Sequence, residues 1–288
     1  MKKILKLIIL LSLFTLSCSE DNPVESQIDD GITWEQITGK LAYLKGNVLY
    51  IIDADTGSIK KLGVTNLTNL KWNKTLSQIT GIRFINDSTY SLEGVNLDGS
   101  HTVLNNTLST KYYDWLPDGR LVTMSAEGKV LIDGSILINQ SFVTLFGMAC
   151  SPDGKKIVVS TDNIIENLLV EIDINTLNQR IVERNSNILE LDFLQPVYSL
   201  ESDKVIYVTY EYEWRLLDPA LHKYRVWSMP KIQLGAGKDP CRSDNLQRIL
   251  YTKVTTGRAS IIGIYSMDIT DGNSVEVIKG GHTPIWIY

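Results

Sequence analysis

Short apolar segments alternate with polar turns along most of this chain, and one stretch shows the pattern in full. Residues 150–160 read Cys-Ser-Pro-Asp-Gly-Lys-Lys-Ile-Val-Val-Ser, which predicts a strand, a tight turn and a second strand. Pro152 presets φ for the first corner of the turn, the Asp153 side chain can accept hydrogen bonds from nearby backbone, and Gly154 tolerates a positive φ. The β-branched run at 157–159 predicts a strand that is buried on both faces.

The same unit recurs along the chain at a regular interval. The second strand opens seven residues after Cys150, at Ile157, and steps of six to eight residues follow five further anchor residues, including the steps from Trp34 to Leu41 and from Cys241 to Ile249. The anchors are Trp34, Trp72, Trp115, Cys150, Tyr198, Cys241 and, without a following strand, Trp286. They are 38, 43, 35, 48, 43 and 45 residues apart. This spacing is typical of four-stranded propeller blades, and six intervals predict six blades.

A second hairpin is expected in each interval, beginning with a third strand that ends in turn residues. These segments are 49–57, 93–99, 130–134, 168–175, 214–219 and 264–272. Helical periodicity is not sustained over ten residues outside the N-terminal segment. The predicted fold is therefore all-β, a six-bladed β-propeller of four-stranded antiparallel blades over residues 32–288. A β-sandwich would not explain the regular interval.

Seven anchors for six blades leave one strand over, and this predicts how the ring closes. Residues 283–288 have the form of an innermost strand with nothing following it. We expect this strand to enter the first blade as its innermost strand, because an open sheet edge invites pairing with other chains. Residues 32–34 would then lie at the periphery or at the neighbouring edge. The competing arrangement keeps 32–34 as the inner strand and leaves Trp286 packed outside.

Residues 1–17 have the composition of a secretory signal. Three lysines precede an apolar run at 7–16, and this run is too short to span a bilayer. No later segment of the sequence is apolar enough to span one. The sequence Thr15-Leu16-Ser17-Cys18 resembles a bacterial lipobox, which implies that residues 1–17 form a lipoprotein signal peptide and that Cys18 is lipidated. The alternative is an ordinary signal peptide with an incidental cysteine.

Residues 18–31 form an acidic tether with too few apolar residues to fold alone. The order Cys18-Ser19-Glu20-Asp21 resembles the acidic export signal of surface lipoproteins from Bacteroidota-type bacteria. The alternative is a solvated linker with incidental charge. We expect an outer membrane lipoprotein that faces the periplasm or the cell surface, with the membrane as a partner through the lipid anchor.

The charge balance excludes one class of partner. The full chain contains 28 basic and 33 acidic residues, and removal of the three lysines in residues 1–17 leaves a formal net charge of −8. The sequence contains no clustered basic patch of the kind that binds phosphate backbones. We therefore expect no nucleic acid partner.

Two turn segments resemble those of a known family. Ser151-Pro152-Asp153-Gly154-Lys155 in the fourth blade and Trp115-Leu116-Pro117-Asp118-Gly119-Arg120 in the third are similar to the Trp-Ser-Pro-Asp-Gly-Lys repeat of TolB-like propellers. Other residues occupy these turn positions in the remaining blades. The resemblance implies a six-bladed propeller that is used for protein association.

The residue types that usually carry catalysis are sparse. His101, His222 and His282 fall in three different blades and have no partner at metal-ligand spacing, so we expect no metal and no cofactor. No Gly-x-Ser-x-Gly elbow is present. Cys150 and Cys241 head blades four and six, which are not neighbours, and we expect both to be free, buried thiols.

One aromatic segment is the candidate binding site. It contains Tyr210, Tyr212, Trp214 and Arg215 in the fifth blade, and such residues dominate interface hot spots and can stack on sugar rings. The alternative is ordinary strand packing, because Tyr and Trp are also strong strand formers. The blade register predicts that 210–212 form the loop between the second and third strands.

These features favour a non-catalytic, lipid-anchored binding or scaffold propeller of the cell envelope. It would be a monomer that associates with an envelope protein or a glycan. The alternative is a propeller enzyme that acts on extracellular carbohydrate or peptide, and converging carboxylates or a metal in the channel would favour that alternative.

Overall fold

The computed structural model describes residues 31–86, 89–139, 142, 144–163, 165–185, 190–198, 205–215, 218–228, 232–235, 237–242, 248–255, 260–268 and 273–288. Six four-stranded antiparallel sheets account for most of this part of the chain. Its helical content is the short 3-10 turn Trp34–Gln36. No helix in these ranges is long and apolar enough to cross a membrane.

Each sheet is one blade, in which the innermost strand lines the channel and three further strands follow outwards. From the channel outwards, blade one contains β24 (His282–Ile287), β1 (Lys40–Lys45), β2 (Val48–Asp53) and β3 (Ser58–Val64). Blade two contains β4 (Thr68–Asn73), β5 (Gln78–Asn86), β6 (Thr89–Asn96) and β7 (His101–Leu108). Blade three contains β8 (Tyr113–Trp115), β9 (Leu121–Met124), β10 (Val130–Ile132) and β11 (Ser135–Ile138).

The other three blades follow in chain order. Blade four contains β12 (Thr144–Cys150), β13 (Lys156–Asp162), β14 (Asn167–Asp173) and β15 (Gln179–Asn185). Blade five contains β16 (Glu190–Tyr198), β17 (Val205–Arg215), β18 (Asp218–Ser228) and β19 (Ile232–Gly235). Blade six contains β20 (Gly237–Arg242), β21 (Arg248–Val254), β22 (Ile261–Asp268) and β23 (Ser274–Lys279).

The innermost strands close a ring around a central channel. They contact one another in the order β24, β4, β8, β12, β16, β20 and back to β24. Successive strands of a blade are antiparallel, so every blade is a meander that runs from the channel to the outer edge. The predicted six-bladed propeller is confirmed.

The anchors of the sequence repeat are cross-strand partners of the second strands. The observed pairs are Trp72 with Ile79, Trp115 with Leu121, Cys150 with Ile157 and Tyr198 with Val205. In blade six the prediction is off by one residue, because Ile249 pairs with Arg242 and not with Cys241. Cys150 and Cys241 lie on the innermost strands of blades four and six and form no disulfide bond. Cys150 is buried as predicted, but the prediction is wrong for Cys241, which is only partly buried.

The predicted closure of the ring is confirmed. β24 is the innermost strand of blade one, and Trp286 pairs with Leu41. The predicted step from Trp34 to Leu41 is therefore wrong, since Trp286 occupies the partner position and Trp34 begins the 3-10 turn. The chain before it bridges the outer strand of blade six, where Ile32 pairs with Ile278. This is the neighbouring edge that the closure predicts.

The turn that follows Cys150 has the predicted chemistry. Asp153 Oδ1 accepts hydrogen bonds from Ser151 Oγ at 2.6 Å and from the Lys155 backbone N–H at 3.1 Å. Gly154 has φ +70°, a conformation that a Cβ would penalise. Side chains within the turn therefore hold its conformation.

Blade five departs from the prediction. β17 continues to Arg215, so residues 210–212 lie inside a strand and not in a loop. Tyr210 pairs with Tyr224 and Tyr212 with His222. The predicted third-strand end at 214–219 is also wrong, because this segment spans the end of the second strand and the start of the third. The run of β-forming residues extends both strands to eleven residues. Asp218 and Pro219, which the sequence suggested as the end of the third strand, are instead the first two residues of that strand.

Apolar side chains of facing sheets hold the blades together. The largest buried cluster lies between blades three and four and includes Val122 and Val159. Between blades two and three the buried Tyr113 hydroxyl lies 3.0 Å from Thr80 Oγ1, and the Trp115 indole N–H donates to the same oxygen at 2.9 Å. The polar atoms of Tyr113 and Trp115 are thus paired with Thr80 across this interface.

Candidate functional site

A cavity of about 750 Å³ opens on one end of the channel. Its lining comes from the innermost strands, from the segments that precede those of blades two and three, and from Leu44, Gly46 and Asn47 at the turn between the second and third strands of blade one. Because successive strands are antiparallel, every turn between second and third strands lies at this same end of the propeller. We call this end the cavity face.

Five innermost strands have a β-bulge where they line the cavity. The bulges interrupt the pairing with the second strand in blades one, two, four, five and six. In four of these blades a non-glycine residue at the same position in the bulge has a left-handed backbone, namely Thr283 (φ 51°), Asn69 (φ 50°), Gln195 (φ 48°) and Asp239 (φ 52°). This conformation costs an L-residue about 1–2 kcal/mol. Strain of this kind concentrates at functional sites.

The bulges have a sequence signal that is separate from the anchor repeat. In three of them proline follows the strained residue, as Thr283-Pro284, Gln195-Pro196 and Asp239-Pro240. Proline cannot donate to the sheet ladder, so within strands it favours edges and bulges. The recurrence of a polar residue and proline shortly before the inner-strand anchor could have located the cavity lining.

Asp239 is the centre of a hydrogen-bond network at the cavity. Its Oδ1 accepts from Gln195 Nε2 at 2.7 Å, and its backbone N–H donates to Gln195 Oε1 at 2.8 Å. Its Oδ2 accepts from Thr252 Oγ1 at 3.0 Å and from Thr283 Oγ1 at 3.4 Å. These contacts join blades five, six and one. They hold the carboxylate in one orientation and satisfy it with neutral donors.

His282 extends this network to the rim. Its Nε2 lies 3.0 Å from the Gly46 carbonyl oxygen, and its Nδ1 lies 3.0 Å from Thr283 Oγ1. The carbonyl can only accept, so Nε2 carries a proton and donates. The three histidines lie in three different blades, as the sequence predicted, with His101 in blade two, His222 in blade five and His282 in blade one. What the sequence did not show is that His282 lines the cavity. Its link to Asp239, through the Thr283 hydroxyl, comes from ring closure and has no local sequence signal.

Three lysines line the cavity beside a single carboxylate among the lining residues that the structure describes. Lys71 Nζ lies 3.6 Å from Asp114 Oδ2, and Lys111 Nζ lies 5.3 Å from the centre of the Tyr112 ring. Lys238 and Asp239 are adjacent on β20. Positive charge therefore predominates in the cavity of a chain whose net charge is negative.

Tyr112 is the aromatic side chain nearest to this charge. Burial, and to a lesser degree the proximity of Tyr90, raise the pKa of its hydroxyl to about 12. The phenol therefore stays neutral at physiological pH and retains its proton as a hydrogen-bond donor.

The residues predicted for the binding site have a different arrangement from the predicted loop. Tyr210, Tyr212, Trp214 and Arg215 all lie on β17, the long second strand of blade five. The end of β17 is at the cavity face, but the side chains lie outside what the structure describes. Cys18 also lies outside the described residues. Within the described ranges, no group of three or more His, Cys, Asp or Glu side chains is placed to hold a metal ion.

Comparisons with known proteins identify the fold. No protein-family model and no curated protein matches the sequence. Among solved structures, TolB from Acinetobacter baumannii is 18% identical with a TM-score of 0.62, over 86% of this chain and 66% of TolB. A TolB candidate from Agrobacterium tumefaciens is 12% identical with a TM-score of 0.55, over 86% of this chain and 92% of that chain.

A third solved structure shares the fold. A chain of the nidogen/laminin complex is 10% identical with a TM-score of 0.61, over 87% of this chain and 99% of that chain. The structural resemblance to TolB-like propellers is thus confirmed. At these identities the similarity shows the fold alone.

Proposed function

We propose that this chain is a non-catalytic binding propeller that holds a segment of an envelope protein in the channel cavity. The observation that carries the proposal is the cavity itself, with its strained bulges and its lysine-rich lining. Concave sites with a few fixed polar groups are the usual binding sites of proteins.

The innermost strands are suited to a polypeptide ligand. Each of them lies at the edge of its sheet, so one row of its backbone N–H and C=O groups faces the channel. An extended peptide offers matching donors and acceptors, as in strand addition to a sheet edge. The same fold occurs in a chain of the nidogen/laminin complex, which is a protein assembly. A glycan is the other partner class that the sequence suggested.

We further propose that lipidation of Cys18 anchors the protein in the outer membrane. Each buried CH₂ contributes about 0.8 kcal/mol, so multiple acyl chains hold a protein where one chain does not. The Cys18→Ala variant is expected to be released in soluble form or to remain an unprocessed precursor. Unchanged membrane fractionation of this variant would contradict the anchor and leave the binding function unaffected.

Site-specific cross-linking tests the binding function. One variant carries a photoreactive phenylalanine derivative in place of Lys238, which lines the cavity. The control carries it in place of Leu76, which is 45% exposed in the turn between the first two strands of blade two, at the opposite end. In the native host we expect a distinct adduct with one envelope protein from Lys238 only.

Two outcomes would contradict this function. One is the same adduct pattern from both positions, which would show that the cavity has no preferred partner. The other is turnover of an extracellular carbohydrate or peptide by the purified protein, abolished by Asp239→Asn. That outcome would establish the enzymatic alternative.

A further inference from the structure

The wall of the cavity face is lowest at blade three. In blade two, β5 extends seven residues past Ile79, to Asn86. In blade three, β9 extends only three residues past the equivalent Leu121, to Met124. At about 3.3 Å per residue, the four-residue difference raises blade two above blade three by roughly 13 Å. Blade three also has the shortest interval between anchors in the sequence.

This step in height uncovers the side of blade two that faces blade three. Lower on that side, Ile82 and Leu92 are buried against Tyr113 of blade three. Above them, Phe84 pairs with Tyr90 on the same side of the sheet, and the two rings contact edge to face at 5.9 Å. Phe84 is 60% exposed, because the short strands of blade three do not reach it.

The uncovered rings are continuous with the cavity. Tyr112 and Tyr113 line the cavity, and Tyr90 packs against the buried cluster that contains Tyr113. Lys111 Nζ lies over the Tyr112 ring, and the Lys111 carbonyl accepts a hydrogen bond of 2.9 Å from Asn69 Nδ2 in the strained bulge of blade two. Together, Phe84, Tyr90 and Tyr112 form what we call the aromatic notch.

The charge around the aromatic notch favours an acidic occupant. Lys111 is at its inner end, and Lys71 and Lys238 lie further inside the cavity. The chain as a whole has a net negative charge, so an acidic ligand is repelled by most of the surface and attracted here.

We propose that a polypeptide partner crosses the rim at blade three, with an aromatic or large aliphatic side chain in the aromatic notch and an adjacent carboxylate on Lys111. This inference rests on the proposed binding function, since it names the path and chemistry of the segment that the cavity holds. A buried aromatic contact beside a charge pair is the usual composition of an interface hot spot.

Fluorescence anisotropy with a defined probe tests the proposal. The probe is a fluorescein-labelled nonapeptide with a central Trp and alternating Glu and Gly on both sides of it. Phe84→Ala and Lys111→Gln are each expected to weaken its binding about tenfold, the change that 1.4 kcal/mol produces. Phe84→Tyr, which keeps the ring, should retain binding. The matched control is Val103→Ala, because Val103 is 61% exposed on the same blade and pairs with Glu93 rather than with the notch residues.

Comparator ligands assign each failure to its cause. Equal binding of a peptide with Lys in place of Glu, or equal weakening by Val103→Ala and Phe84→Ala, overturns the notch. If Lys238→Gln weakens the acidic probe while Phe84→Ala and Lys111→Gln do not, the cavity binds peptide but the path over blade three is wrong. If only an oligogalacturonate binds, and Phe84→Ala and Lys111→Gln weaken it, the occupant is a glycan and the polypeptide assignment is overturned.

Discussion

Glycines with the same backbone angle differ in how tightly their surroundings constrain them. Gly128 has φ +77° and Gly134 has φ +78°, and both lie in turns of blade three. A Cβ on Gly128 would overlap the carbonyl oxygen of Phe142, whereas one on Gly134 would meet nothing within 4 Å. The Phe142 backbone N–H also donates to the Gly128 carbonyl at 3.1 Å. Gly128 is therefore constrained both by its positive φ and by close contact with the Phe142 backbone, whereas Gly134 is constrained by its positive φ.

The pair Gly128→Ala and Gly134→Ala separates these two effects. Both variants lose about 1–2 kcal/mol for a left-handed alanine. Gly128→Ala is expected to lose more, because the backbone of residue 142 has to shift. Urea denaturation of both variants measures the difference, and equal free energies of unfolding would show that Phe142 moves at no cost.

A second residue-scale prediction concerns acid stability and Asp153. Burial tends to raise the pKa of this carboxyl, but hydrogen bonds from Ser151 and Lys155 and the charges of Lys155 and Lys156 outweigh it, so the pKa is lowered. The ionised form is thus favoured in the folded state. Its stabilisation is complete above the unfolded pKa of about 3.9 and is lost as pH falls through the folded pKa.

Asp153→Asn keeps an oxygen that can accept these hydrogen bonds and removes the charge. The Tm of the wild type should therefore be higher than that of the variant at pH 5–7, and the difference in Tm should shrink as pH falls below about 4. Thermal melts of both proteins at a series of pH values measure this difference. The other carboxyl groups titrate in both proteins, so their effect on Tm cancels in the comparison. A difference in Tm that stays constant down to pH 2.5 would refute the assignment.

At the scale of elements, one carboxylate joins the innermost strands of three blades. Asp114 on β8 accepts the Cys150 backbone N–H of β12 at 2.8 Å and the Trp115 N–H at 2.9 Å. Its Oδ2 also lies 3.6 Å from Lys71 Nζ on β4. The inner strands have no sheet hydrogen bonds across blades, so such side chains supply the polar contacts between them.

Asp114→Ala is expected to destabilise the protein by about 1–3 kcal/mol, because it leaves a partly buried backbone donor without its acceptor. The control is Asp118→Ala in the same blade, where the exposed pair with Arg120 contributes about 0–1 kcal/mol. Urea denaturation compares the two variants. If Asp114→Ala lowers the free energy of unfolding no more than Asp118→Ala does, water replaces the carboxylate as the acceptor of the Cys150 N–H, and this prediction is wrong.

At the scale of the molecule, ring closure depends on the last strand. Trp286 is 3% exposed and packs with Leu41 of β1 and Leu250 of β21, so β24 joins blades one and six. By contrast, the described residues before Trp34 make one isolated bridge, between Ile32 and Ile278, with the outer edge of blade six. The two ends of the propeller therefore contribute unequally to closure.

Deleting residues 284–288 is expected to destabilise the propeller strongly. Truncation of a buried Trp costs about 3–5 kcal/mol, a large share of the typical 5–15 kcal/mol of total stability. The exposed edge of β1 should also promote association of the truncated chains. A chain that begins at Trp34 is the control and should lose much less. Thermal melts and gel filtration measure both effects, and a truncated protein that melts within about 2 °C of the intact chain contradicts this account of closure.

Much of the fold could be predicted because its signals are local. The turn at Asp153 and Gly154 is specified by residues within the turn, and the anchor Trp72 faces Ile79 because a hairpin fixes the register near its closed end. The predicted loop at 210–212 in blade five was wrong because local signals alone do not give the length of a hairpin. Strand-forming residues continue past Thr209, and no local signal shows that this hairpin is longer than the others.

The amino-acid sequence by itself determined the number of blades, their inner hairpins and the closure by β24, since each follows from strand periodicity, turn chemistry and the need to pair every edge. Only the tertiary structure decided the site. Asp239, Gln195 and Thr283 meet because three blades converge on one axis, and Phe84 is uncovered because blade three is short. Both are relations between residues far apart in the chain, which the ring alone brings together.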